Sequence, residues 1–185
     1  MFYLVDTNVL LCFADKENLL HPVVRAALKN LWRDEQNLVV TSQNYIEFWN
    51  VATRPAERNG LGLSPRRTNN LLRLFDRLFG FLPDMPEIHR EWRRLVNEYQ
   101  VSGVQVHDAR LVATMRVHSV SHILTFNHKD FSRYSPEGIV AIQPSDALTI
   151  RRASEQTELY LSDDAFQRAM EYVLEKNKEL YQRLA

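Results

Sequence analysis

The sequence predicts a three-layer α/β/α fold, with helices on both faces of a mostly parallel sheet, and two observations carry that prediction. Short apolar runs alternate along the chain with longer stretches whose apolar residues recur at helical spacing. The runs themselves, such as Phe2-Tyr3-Leu4-Val5, show no polar alternation, as expected of strands buried on both faces. A third observation points to a site. The first run ends on Asp6, followed by Thr7 and Asn8, and the carboxyl edge of an open α/β sheet is where loops converge on ligands. Asp, Thr and Asn are also good helix caps ahead of Val9-Leu10-Leu11, so a capping role stands beside the functional one.

The remaining elements follow in order. His21-Pro22 starts a helix whose apolar residues fall at 23, 24, 27, 28 and 31. Leu38-Val39-Val40 is a second buried strand, and Ser42 introduces a helix with Tyr45, Ile46, Phe48, Trp49 and Ala52 expected on its buried side, ending near Arg54-Pro55. The glycines of 59–63 mark a loop, Ser64-Pro65 caps and starts a helix to about Phe79, and Phe81-Leu82 is a short strand. Met85-Pro86 begins a helix to about Tyr99 that buries Ile88, Trp92, Leu95, Val96 and Tyr99. His107-Asp108 opens the next, with Ala109, Val112, Ala113, Met115 and Arg116 on a small inner face. His122 to Thr125 is a strand, Phe126 to Asp130 a loop, and Gly138 to Ile142 the last strand. Beyond Pro144 the pattern changes to a short helical piece, Ser145 to Arg152, and a long amphipathic helix from Ser162 to Leu184. The chain therefore divides into one domain over 1–143 and a helical extension over 144–185, packed on the domain or at an interface.

Bulk composition excludes more than it identifies. The chain has 185 residues, 45% of them hydrophobic, enough for one full core. Its 23 basic and 23 acidic residues cancel, so no global field advertises nucleic acid or membrane. The single cysteine, Cys12, allows no internal disulfide or thiolate cluster and is expected to be packing. No membrane-length apolar run or signal-peptide pattern is present, which makes the cytoplasm the expected compartment.

Local patterns carry the chemistry. Asp6, Glu47 and Asp108 each stand at or near an element junction, and a fourth polar position follows the next strand in Thr125-Phe126-Asn127-His128-Lys129-Asp130. Carboxylates gathered at one crevice repel, and a hard divalent cation with oxygen ligands relieves the repulsion. Mg2+ or Mn2+ is the expected ion, and metal-assisted attack of water on a phosphodiester the expected chemistry. Taken singly, Glu47 reads as a solvated helix position and Asp108 as an N-cap. The six histidines show no ligand spacing.

These pieces resemble the PIN-domain ribonucleases, and among them the VapC toxins of bacterial toxin–antitoxin pairs. The resemblance rests on Val5-Asp6-Thr7-Asn8-Val9-Leu10, Tyr45-Ile46-Glu47, His107-Asp108-Ala109 and Thr125-Phe126-Asn127 with Asp130-Phe131, in that order over 1–143. It implies a PIN-like nuclease domain with Asp6, Glu47 and Asp108 as the acidic catalytic and metal-site residues, Asp6 and Asp108 as direct ligands, and Glu47 for a second ion or a water-bridged contact. The family's fourth acid matches Asn127, an amide, with Asp130 three residues on; both are candidate further ligands. Thr7, Asn8 and Thr125 are placed around the ligands, orienting carboxylates or water. The expected activity is divalent-metal-dependent endoribonuclease cleavage, the expected partners an RNA substrate, a cognate antitoxin and a second copy of the chain as a homodimer. The helix after Ser162 departs from the usual short toxin domain.

Arg54, Arg58, Arg66, Arg67, Arg73 and Arg77 face only Glu57 and Asp76 in their stretch and form a candidate RNA-backbone patch, or else a solvated helix face. Two other classes compete with the ribonuclease. A haloacid-dehalogenase-type phosphatase requires an acid two residues after the nucleophilic Asp, where this chain has Asn8. A non-catalytic PIN-like module that binds RNA or protein is the alternative that Asn127 favours.

Overall fold

The structure is a computed structural model and describes residues 1–148. Five strands, β1 (Phe2–Val5), β2 (Asn37–Thr41), β3 (Gly80–Leu82), β4 (His122–Leu124) and β5 (Val140–Ile142), form one sheet in the order β3-β2-β1-β4-β5. Every pairing is parallel. The chain builds outward from β1 to β3, then returns to the other side of β1 for β4 and β5. That reversal places the topological switch point between β1 and β4, with Asp6 and Thr125 directly beyond their carboxyl ends.

Strand residues alternate between two cores, which is why the strands read as unbroken apolar runs. Tyr3, Val5, Leu38, Val40 and Leu124 face one layer, formed by α1 (Thr7–Ala14), α2 (His21–Arg33), α3 (Ser42–Thr53) and α4 (Pro65–Leu78). Leu4, Val39 and Ile123 face the other, formed by α5 (Pro86–Glu98), α6 (Gln105–Val117) and α7 (His128–Ser132). Phe75 of α4 is a hub of the first core, its ring meeting those of Phe13, Tyr45, Phe48 and Phe79. Cys12 is buried and free, as its setting predicts. The 59–63 loop turns tightly, and a Cβ at Gly60 would meet the Arg54 carbonyl oxygen at 2.0 Å. A 3-10 turn at Asp146–Leu148 follows β5 and buries Ala147 in the first core. The rest of the expected short helix, and the whole expected helix from Ser162 to Leu184, lie outside the described residues.

Several side chains depart from the periodicity. Phe48 and Ala52 are buried on α3, but Ile46 is 70% exposed and Trp49 36% exposed, because the helix leaves those two facing outward. Arg116 does not lie on the inner face of α6. It is exposed and pairs with Glu91 on α5 and, at 2.7 Å, with Glu137. The inner face instead includes Leu111 and Thr114, so α6 is buried around most of its circumference between the sheet, α5 and α7. α6 also starts earlier than His107-Asp108: Gly103 takes a left-handed turn at φ 58° and the helix opens at Gln105. The expected loop at 126–130 gives way to the short helix α7, and β5 begins at Val140 rather than Gly138.

Phe48→Ala is expected to cost about 3–5 kcal/mol of stability and Ile46→Ala under ~0.5 kcal/mol, two residues away on the same helix. Urea denaturation of both variants checks the assignment of faces.

Candidate active site

Asp6 performs the capping and the crevice roles at once. As N-cap of α1 it receives the Thr7 amide on Oδ1 at 2.7 Å. Its Oδ2 accepts from the Thr125 hydroxyl at 2.6 Å and from the Asn8 side-chain amide at 2.8 Å. Asn8 completes the bridge across the switch point: its amide also donates to Thr125 Oγ1, and its carbonyl oxygen accepts the Phe126 amide, both at 3.2 Å. The Asn127 amide donates to the same Thr125 hydroxyl at 3.0 Å. One hydroxyl thus fixes the strand end, the carboxylate and the following turn.

Glu47 is held from two sides. Its Oε2 accepts the Thr7 hydroxyl at 2.8 Å, and its Oε1 accepts Gln43 Nε2 at 2.7 Å from one turn earlier on α3. Thr7 is itself fixed by Asn44, whose amide donates to Thr7 Oγ1 at 3.2 Å. Asn44 is locked in turn by a capping box with Thr41, the residue that ends β2 and caps α3. Gln43 also donates to the His107 carbonyl at 3.0 Å, tying α3 to the start of α6. The His107 ring approaches Glu47 at 3.9 Å but is largely exposed.

Asp108 lies in the first turn of α6 and does not cap it; Val104 holds the cap position. Among the described residues its carboxylate accepts no hydrogen bond, so it stands in the crevice with its lone pairs uncommitted. Its pKa is pushed up to about 6, first by burial and then by the charges of Asp130 and Glu47, against the pull of Arg133 and His107. Asp6 is also pushed up to about 6. Burial dominates there too, the hydrogen bonds from Thr125 and the Thr7 amide pull back, and the charges of Asp108 and Glu47 add to the rise. Four carboxylates therefore feel one another: Asp6, Glu47, Asp108 and, through Asp108, Asp130.

Asn127 adjoins the crevice through its backbone amide, which donates to Thr125 Oγ1. It is exposed and serves as the N-cap position of α7, and the turn it begins carries Asp130 back toward Asp108. Gln43 and Asn44, which no family motif singles out, also shape the crevice. Their signals were there in the Thr41-x-x-Asn44 capping spacing and in Gln43 one helical turn ahead of Glu47. Of the six arginines, Arg54 is half-buried at the end of α3, while Arg58, Arg66, Arg67, Arg73 and Arg77 are exposed around α4. The hydrogen bonds that order the crevice come from Thr7, Asn8, Gln43 and Thr125 and not from these arginines.

The donor set is one of hard oxygens. Among the described residues no three His, Cys, Asp or Glu side chains are grouped as a ready-made metal cage. A magnesium-like ion fits such a site, since it is commonly held by one or two carboxylates while water and substrate oxygens fill the rest of its shell. Two partly desolvated carboxylates with raised pKa values, one of them free of hydrogen bonds, are the features here that suit a cation.

Comparison with known proteins agrees with this architecture. The model of the PIN domain family matches residues 3–136. No curated protein sequence matches the chain. Among solved structures, a chain of the VapBC2 complex of Rickettsia felis, bound to a DNA fragment from their promoter, is 13% identical with TM-score 0.57, over 77% of this chain and 98% of that one. The Mycobacterium tuberculosis VapC20, a sarcin–ricin loop cleaving toxin, is 18% identical with TM-score 0.52, over 76% and 97%. A chain of FitAB bound to an IR36 DNA fragment is 15% identical with TM-score 0.54, over 78% and 96%. At these identities the likeness is one of fold. The family match spans Asp6, Glu47, Asp108 and Asp130 together with strands β1 to β4 from Tyr3 onward, and the chain belongs to the PIN domain family.

Proposed function

We propose that this chain is a divalent-metal-dependent endoribonuclease acting as the toxin of a VapBC-type toxin–antitoxin pair. The observation that carries the reading is the concentration of carboxylates at the switch point, where burial and mutual repulsion push Asp6 and Asp108 up to about 6. Asp6 and Asp108 would hold a Mg2+ or Mn2+ ion, with Glu47 and Asp130 reaching it directly or through water. When bound, the cation supplies charge neutralisation, a water of lowered pKa and a counter-charge for the phosphoryl oxygens.

The chain's own residues do the positioning. Thr125 and Asn8 fix the Asp6 carboxylate against rotation, and Thr7 and Gln43 do the same for Glu47. Glu47, with both oxygens already accepting hydrogen bonds, is suited to orient water, whereas Asp108 offers free oxygens. The exposed arginines around α4 would add sequence-independent contacts to RNA phosphates. The VapBC2 and FitAB neighbours support a protein antitoxin as the partner; among the described residues no helix is long and apolar enough to cross a membrane.

Purified protein is expected to cleave a panel of structured and single-stranded RNAs with added Mg2+ or Mn2+ and to lose that cleavage with EDTA. Asp6→Asn should lower the rate by at least about a hundredfold, the scale on which one electrostatic contact to a transition state acts. RNA that is bound but never cut by the wild type would point instead to a binding module.

A second expectation follows from the sign of the Asp108 shift. Its folded pKa lies above the ordinary carboxylate value, so its contribution to stability is full below about pH 4 and is lost as pH rises through about 6. Without metal at pH 7.5, Asp108→Asn should therefore melt about 2–4 °C above the wild type, the shift that ~1 kcal/mol gives a chain of this size. The gain should shrink as pH falls through about 6 and vanish only below about pH 4, and Mn2+ should stabilise only the wild type; differential scanning fluorimetry across pH reads all three.

A further inference from the structure

The carboxyl edge of the sheet carries a second concavity that the carboxylate crevice does not use. Past β3 the chain runs through Pro83 and Asp84 into α5, and a cleft of about 300 Å³ opens there, lined by Asp84, Met85, Ile88, His89, Trp92 and Arg110. Buried Ile88 forms its floor. The rings of His89 and Trp92, 5.7 Å apart and inclined by 32°, stand along one side, with half-exposed Met85 as an adaptable apolar contact. The polar part is a charged pair, Arg110 donating to Asp84 Oδ1 at 2.7 Å, with Asp84 Oδ2 accepting from Ser42 at 2.6 Å.

This cleft is wired to the crevice. Arg110 Nη1 donates to Gln43 Oε1 at 3.1 Å, and Gln43 Nε2 donates to Glu47 Oε1. One glutamine side chain therefore separates the carboxylates from the cleft, along the same strand-end edge. A single-stranded RNA whose phosphate sits at Asp6 and Asp108 would pass Gln43 and bring a neighbouring base to Arg110.

We propose that this cleft is a nucleobase pocket that takes a guanine next to the cleaved phosphodiester and sets the cleavage preference. The inference rests on the endoribonuclease reading of the crevice. Unstacked RNA bases are recognised by aromatic faces together with hydrogen bonds to their Watson–Crick and Hoogsteen edges, and the cleft offers both. Guanine alone places two acceptors, N7 and O6, beside two donors, N1–H and N2–H. Arginine matches the first pair and a carboxylate the second. Arg110 and Asp84 hold each other in register and keep capacity to spare, since Arg110 has further N–H donors and each Asp84 oxygen has a second lone pair.

The test uses the whole chain in EDTA, titrated with four pentanucleotides of sequence AAXAA in which X is A, C, G or U. The reporter is the Trp92 indole N–H resonance, assigned by its loss in Trp92→Phe; that proton is held by the Val106 carbonyl at 3.1 Å, beside the cleft. AAGAA is expected to move this resonance and to bind about ten-fold more tightly than the other three, the discrimination a good bidentate contact gives. Asp84→Asn should erase most of that preference while the variant's spectrum remains that of a folded protein, and Met85→Ser should weaken all four. The proposal is overturned if AAGAA leaves Trp92 unmoved, if the four oligonucleotides are equivalent, or if Asp84→Asn keeps the preference. RNA cleavage measured on the same preparations separates the two claims. Cleavage with no response at Trp92 removes the pocket and keeps the nuclease, whereas a guanine-selective response with no cleavage removes the nuclease and keeps the pocket.

Discussion

The hydrogen bonds that Asp6 accepts from Thr125 and Asn8 join the ends of two strands whose chain segments are more than a hundred residues apart, and the crevice depends on that junction. β1 and β4 are neighbours because the chain reverses direction across the sheet there. A reversal of this kind leaves a gap between the loops above it, and in this protein Thr125 and Asn8 fill the gap with side-chain hydrogen bonds rather than apolar packing. Removing the Thr125 hydroxyl would release the carboxylate, the Asn8 amide and the turn into α7 together, since all three meet at that one oxygen.

Around this junction the protein concentrates like charge. Asp6 is buried, Asp108 is half-buried, and Glu47 and Asp130 are close enough to raise their neighbours' pKa values. Such an arrangement is unfavourable for folding and is maintained by the two surrounding cores. The layer of α1 to α4 fixes Asp6 and Glu47, the layer of α5 to α7 fixes Asp108 and Asp130, and Gln43 links the two through the His107 carbonyl. Stability stored in packing supports a strained electrostatic site, a division common where a group must act rather than merely fold.

Much of this was legible in the sequence, for physical reasons that can be named. Strands buried on both faces must be apolar throughout, so β1, β2 and β4 announced themselves, and an acid following the first of them marked either a helix cap or a site at the strand end, two roles that Asp6 combines. Asp6 stands out in that way, Glu47 and Asp108 through the motifs that resemble the PIN family, and the structure brings all three together. What escaped depends on tertiary context. Ile46 and Trp49 have the spacing of core residues, but α3 turns Gln43, Asn44, Tyr45, Phe48 and Ala52 to its neighbours and leaves those two facing outward. Arg116 fits the helical period of α6 yet reaches outward to Glu91 and Glu137, partners on other elements that no local pattern reveals. Asn127 lay at the expected place in the motif, while the turn that moves Asp130 toward Asp108 is fixed by Thr125 accepting a backbone amide. Gln43 and Asn44 looked like ordinary polar residues at a helix start, and their roles come from Thr7 and Glu47 arriving from elsewhere in the fold.

The central claim is that these carboxylates form a cation site, and diffraction from crystals of the chain grown with Mn2+ tests it most directly, because anomalous scattering locates the ion independently of any activity. An anomalous peak is expected between the Asp6 and Asp108 carboxylates, at the ~2.0–2.2 Å separation of a hard divalent ion from oxygen. A crevice with no peak at saturating Mn2+, and with Asp108 turned onto Arg133 in its place, would contradict it.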